Sequence, residues 1–71
     1  MSASTNAERA ASADAALKAY MSRTRCDCED CLTYLLRDLM HWADKCRFSF
    51  AEELYRARYY YAVDMADEEA A

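Results

Sequence analysis

Between residues 27 and 46 apolar side chains recur at helical intervals: Cys28, Cys31, Leu32, Leu35, Leu36, Leu39, Trp42, Ala43 and Cys46. Steps of three and four residues gather them on one side of an α-helix, because neighbours are about 100° apart around its axis. The other side carries Glu29, Asp30, Thr33, Arg37, Asp38, Asp44 and Lys45. Asp27, Glu29 and Asp30 crowd the expected first turn, and Lys45 and Arg47 the last, so each sign complements the helix dipole. A helix over 27–46 is predicted.

A second helix is predicted over 49–66. Ser49-Phe50-Ala51-Glu52 has the form of a capping box. Phe50, Leu54, Ala57, Tyr61 and Met65 make its inward stripe, and Glu52 and Arg56 stand at ion-pair spacing. The connection from Lys45 to Phe48 is short, which favours antiparallel packing of the two helices. Asp67, Glu68 and Glu69 oppose the dipole at the far end, so an acidic tail is expected to fray. Ahead of both helices lies an alanine-rich stretch. Thr5-Asn6-Ala7-Glu8 offers another capping box, and alanine favours a helix from Asn6 to Met21. Its large apolar residues are Leu17, Tyr20 and Met21, too few to dock it firmly. The expectation is an all-α chain. It comprises an N-terminal alanine-rich arm over 1–25, helical or disordered, an antiparallel helical hairpin over 26–66 and an acidic tail over 67–71.

Composition sharpens this. The 71 residues include no glycine and no proline. Tight hairpins and phosphate-binding loops depend on glycine, so β-sandwiches, small barrels and Gly-rich nucleotide sites are excluded. The net charge is −4, and it is unevenly spread. Residues 1–25 set Glu8 and Asp14 against Arg9, Lys18, Arg23 and Arg25, whereas residues 26–71 are strongly acidic. An acidic body argues against binding nucleic acid through its phosphates. No run is long and apolar enough to span a membrane. The N-terminus lacks a secretory apolar core, so a cytoplasmic protein with reduced thiols is expected.

Cys26, Cys28, Cys31 and Cys46 read C-x-C-x2-C-x14-C. Four thiolates are a zinc ligand set, and a small zinc-stabilised domain is the alternative reading. The spacing departs from paired C-x2–4-C knuckles. On one helix, Cys28 and Cys46 would stand roughly 27 Å apart, beyond the reach of one ion. Cys46 could join Cys28 only if the helix broke or from a second chain in an antiparallel dimer, whereas Cys26, Cys28 and Cys31 could bind a metal as a trio with one outside ligand. Three of the four lie on the apolar stripe, and buried core thiols account for them without a cofactor. Cys28-Glu29-Asp30-Cys31 is also a C-x-x-C, but its acids disfavour a thiolate and no βαβ pattern surrounds it. His41, the single histidine, has Asp38 and Asp44 three residues away on either side, yet no nucleophile stands near. A boundary histidine beside Trp42 is the simpler reading, and no enzyme is expected.

The tyrosines are unusual. Tyr59, Tyr60 and Tyr61 span roughly 200° of a helix, which one seam cannot bury. Some must face solvent or another chain. Tyrosine, tryptophan and arginine are the residues that dominate binding hot spots. Trp42, Tyr55, Arg56, Tyr59 and Tyr60 are therefore the candidate partner-binding residues, with a foreign protein or a second copy (a homodimer) as the partner. The alternative is that the tyrosines lie flat over a thin core with their hydroxyls in water.

The segment Leu35-Leu36-Arg37-Asp38-Leu39-Met40-His41-Trp42-Ala43-Asp44, followed by Phe50, Ala57, Arg58 and Tyr60, resembles a group of small uncharacterised bacterial, plasmid and phage proteins. Those share a D-L-M-H-W-x-D helix, a short turn and a second helix ending in an aromatic pair. The resemblance covers about residues 32–62. This chain has Tyr59-Tyr60 where the group usually has His-Tyr, and Ser49 where it has Asp. The cysteine cluster is not shared. No catalytic role is implied. The resemblance implies a mobile-element setting, where binding a host protein is a common task. A phage or plasmid inhibitor of host machinery, anti-CRISPR-like in size and acidity, is one form the expected binding module would take.

Overall fold

A computed structural model describes residues 5–27 and 29–70, and these form three helices. They are α1 (Asn6–Thr24), α2 (Cys31–Lys45) and α3 (Phe50–Ala70). The described residues contain no strand, so the all-α expectation holds. The chain divides into two compact units, Met1–Leu39 and Met40–Ala71, with the boundary inside α2.

In the first unit α1 starts as its sequence predicts. Thr5 Oγ1 accepts the Glu8 amide at 3.1 Å and lies 3.1 Å from the Glu8 carboxylate. The helix runs three residues past the expected Met21 and stops at Arg25, which takes a left-handed conformation. Its amide donates to the Met21 carbonyl at 2.7 Å, closing the last turn. Leu17, Tyr20 and Met21 are half-buried, as are Leu35 and Asp38 on α2, while Cys31 is fully buried. Tyr20 joins α1 to α2 by donating its hydroxyl to Asp38 Oδ2 at 2.5 Å. Three large side chains thus hold a helix that the sequence alone leaves free to fray.

The Tyr20 bond exists only while the phenol keeps its proton. The hydrogen bond to Asp38, helped by burial and by the carboxylate's charge, raises the Tyr20 pKa above its ordinary 10.0. The folded value therefore lies above the unfolded one. The contact contributes fully below about pH 10 and is lost as pH rises through the folded value. In an ultraviolet tyrosinate titration, Tyr20 should ionise above the ordinary phenol value, and Tyr20→Phe should remove that step.

The start of α2 differs from expectation. The regular helix begins at Cys31 rather than 27, so Asp27, Glu29 and Asp30 precede it instead of filling its first turn. Asp27 acts as a cap: its carboxylate accepts the Asp30 amide at 3.2 Å and its carbonyl the Cys31 amide at 3.1 Å. Cys28 lies outside the described residues. The remaining α2 stripe is not all inward. Leu32, Leu36, Leu39 and Trp42 are exposed, and among the described residues only Cys31 and Ala43 are buried. Periodicity defines an apolar side but supplies nothing to cover it.

The second unit is organised by the end of α2. Arg47 is left-handed with φ of 64°. The Phe48 amide donates to the Ala43 carbonyl at 2.8 Å and the Arg47 amide to the Asp44 carbonyl at 3.3 Å. This crossed pair is a Schellman motif, normally completed by glycine at the left-handed position. Its apolar contact is also present: Trp42 and Phe48 stack with ring centroids 5.5 Å apart, beside buried Ala43. A Cβ in this conformation costs about 1–2 kcal/mol. Arg47→Gly should therefore raise stability by about 1 kcal/mol in a thermal melt, and Arg47→Ala, which keeps the Cβ, should not.

Ser49 then caps α3, its Oγ accepting the Glu52 amide at 3.3 Å. The helix continues to Ala70, past the expected stop at 66, so the tail is helical at least through Ala70. Repulsion of exposed acids by a helix C-terminus is worth only a few tenths of a kcal/mol, which alanine propensity at Ala66 and Ala70 offsets. Arg56 pairs with Glu53 at 3.4 Å instead of with Glu52. Both spacings bring the charges within reach, and at an exposed site little separates them.

Candidate protein-binding surface

The expected inward stripe of α3 is largely open. Phe50 is half-buried, but Leu54, Ala57, Tyr61 and Met65 are exposed. The other half-buried residue in the middle of this helix is Asp64. Phe50 and Asp64 lie within about 40° of each other around the axis, and that arc marks the inner side of α3, although Ala57 within it is exposed. Tyr55 and Tyr59 also lie within about 40° of each other, roughly 180° away from it. Both are exposed, Tyr55 by 77 % and Tyr59 by 64 %, and Tyr61, on the Phe50 side of the helix, is exposed by 67 %.

Val63 continues the same row, one further step of four along, and is exposed as well. The sequence reading missed Val63, although the spacing Tyr55, Tyr59, Val63 contains it. Tyr60 borders the row and meets Tyr59 edge-on, with centroids 5.7 Å apart and planes at 70°. Such a contact restrains both rings before any partner arrives. Arg56 also borders the row, and its pairing with Glu53 is solvent-exposed on both sides. Exposed pairs of this kind are worth 0–1 kcal/mol, so the guanidinium remains exchangeable. Ala51, Glu52, Tyr55 and Arg56 line a shallow open depression on the first turns of α3.

Trp42 has a different position from that of the tyrosines. It is 54 % exposed, but one face of its indole is taken by Phe48. It contributes the rim of the α2 turn and is not a residue of the α3 row. The structure thus brings Tyr55, Tyr59, Tyr60 and Arg56 onto adjoining strips of one helix and ties Trp42 to the turn before it.

The cysteines depart from expectation. Cys26 and Cys31 form a disulfide, with Cα atoms 5.7 Å apart, where reduced thiols were expected. The expectation rested on cellular compartment, whereas the pairing follows from the Asp27 turn, which brings the two Cα atoms to ordinary disulfide separation. Cys46 is an exposed free thiol, not a core one, because α2 ends at Lys45 and leaves it in the turn. The zinc alternative used Cys26, Cys28, Cys31 and Cys46. Two of these are bonded to each other, and Cys28 is outside the described residues. Among the described residues no group of three or more His, Cys, Asp or Glu side chains is disposed to hold a metal. His41 is exposed, and Asp38, one of its two candidate orienting acids, is engaged by Tyr20 and by Arg37 Nε at 3.1 Å.

Comparison with protein-family models, with curated proteins and with solved structures finds no match. No helix among the described residues is long and apolar enough to cross a membrane.

Proposed function

We propose that this chain is a non-enzymatic protein-binding module that docks through the outer side of α3. Tyr55 and Tyr59 form the centre of the contact, Tyr60 and Arg56 its border, and Trp42 a neighbouring apolar rim. The observation that carries this reading is the exposure of Tyr55 and Tyr59 on the side opposite half-buried Phe50 and Asp64. Large aromatic side chains held on a regular helix lose little conformational freedom on binding and bury much area. The partner is a larger protein or a second copy of the chain. The resemblance of residues 32–62 to small mobile-element proteins favours a host protein, and with it an inhibitory role. The acidic charge of α3 disfavours nucleic acid.

The test combines native mass spectrometry with affinity capture, using the parent chain, Tyr55→Ala, Tyr59→Ala and Met65→Ala. Association, whether with itself or with a captured protein, should be weakened at least tenfold in both tyrosine variants and kept in Met65→Ala, with helicity unchanged in all. Binding that survives both tyrosine substitutions would overturn the proposal.

A further inference from the structure

We infer that the Cys26–Cys31 disulfide is a directional thiol-exchange site, in which Cys26 is the sulfur attacked and Cys31 the leaving group. The two sulfurs are chemically alike but not equally reachable. Cys31 is the first residue of α2 and is fully buried, with its sulfur against the Asp27 carbonyl oxygen. Cys26 lies in the connection between α1 and α2 and is only half-buried. An incoming thiolate reaches Cys26 Sγ, and access decides which sulfur of a disulfide is attacked.

The exchange balances with a small thiol such as glutathione as reductant. Its thiolate bonds to Cys26 Sγ, the Cys26–Cys31 bond breaks, and the electron pair leaves on Cys31. A second glutathione thiolate attacks the glutathione sulfur of the mixed disulfide and releases Cys26 as a thiolate. Two protons from the two glutathiones go to Cys26 and Cys31, and oxidised glutathione is the other product.

The surroundings assist each departure. The Cys31 thiolate forms at the N-terminus of a fifteen-residue helix, where the helix dipole favours negative charge. The Thr24 hydroxyl lies 3.2 Å from Cys26 Sγ, sharing its proton with the Tyr20 carbonyl at 2.8 Å, and can follow the charge released there. Arg23 and Arg25 precede Cys26 and suit an anionic thiol, while Asp27, Glu29 and Asp30 follow it and oppose a high thiolate population.

The experiment treats the oxidised full chain with glutathione, quenches with acid at intervals, alkylates and maps the peptides. The mixed disulfide should appear on Cys26, and complete reduction should add two alkylatable thiols. In parallel, Cys31→Ser should take up glutathione from its oxidised form about tenfold faster at Cys26 than Cys26→Ser does at Cys31, with circular dichroism confirming that both variants stay helical. Glutathione found on Cys31, equal rates in the two variants, or a chain isolated under oxidising conditions with both cysteines free would each overturn the inference.

Discussion

Replacing Tyr59 with alanine is expected to weaken partner binding by about 2 kcal/mol, roughly thirtyfold in Kd, without loss of helix content. Tyr59 is 64 % exposed, so its removal leaves no cavity. The edge-on contact with Tyr60 is the main intramolecular interaction it loses, and that is worth about 0.5–1.5 kcal/mol when buried and less here. Substitutions at exposed helix positions otherwise move stability by about 0.5 kcal/mol at most. Binding and folding should therefore separate in this variant. Calorimetric titration of the partner against parent and variant chains reads the first quantity, and far-ultraviolet circular dichroism the second. If Tyr59→Ala unfolded the chain, the tyrosines would be core residues and the α3 surface would have to be abandoned.

Reduction of the Cys26–Cys31 bond is expected to cost the first unit about 2 kcal/mol. The bridge closes a loop with a sequence separation of 5, and loop-closure entropy for so short a loop is modest but comparable to everything else that holds this unit. Among the described residues its companions include the hydrogen bond from Tyr20 to Asp38, a few half-buried side chains and exposed ion pairs such as that between Asp14 and Lys18 at 2.9 Å. Thermal melts with and without reductant should differ by that amount. The double substitution Cys26→Ser with Cys31→Ser should reproduce the reduced curve and no longer respond to reductant. Identical melts for oxidised and reduced chains would mean that the bridge leaves the fold unsupported by it.

The local signals were the most readable in the sequence. Thr5 and Ser49 are caps where their spacing to Glu8 and Glu52 predicts, because a cap is decided within four residues. Helix ends were harder. Both α1 and α2 stop at arginines in left-handed conformation, and with no glycine in the chain nothing marks Arg25 or Arg47 as a terminus. The Cys26–Cys31 bridge is not legible in the sequence, because Cys26 lies off the apolar stripe and spacing alone does not show the Asp27 turn that brings the two together. The expected inward stripes of α2 and α3 are largely exposed, because an amphipathic pattern states a preference, and what satisfies it is a tertiary matter. Leu36, Leu54 and Met65 are exposed for that reason. At the candidate surface, the arithmetic of three consecutive tyrosines foretold exposure, while Val63 needed the inner side of α3 to be known first.

The turn that ends α2 carries the chain's single tryptophan, stacked on Phe48 and next to Ala43, one of the two buried residues among those described. Indole emission from this protein thus originates at one place and answers to one local event, the winding or unwinding of that turn. Tyr20 stands in the other unit, its phenol held above the ordinary value by its hydrogen bond to Asp38. The molecule consequently carries two optical gauges, fluorescence for one half and phenolate absorbance for the other. A disagreement between their transitions would reveal, without any added label, that the halves melt as separate cooperative bodies.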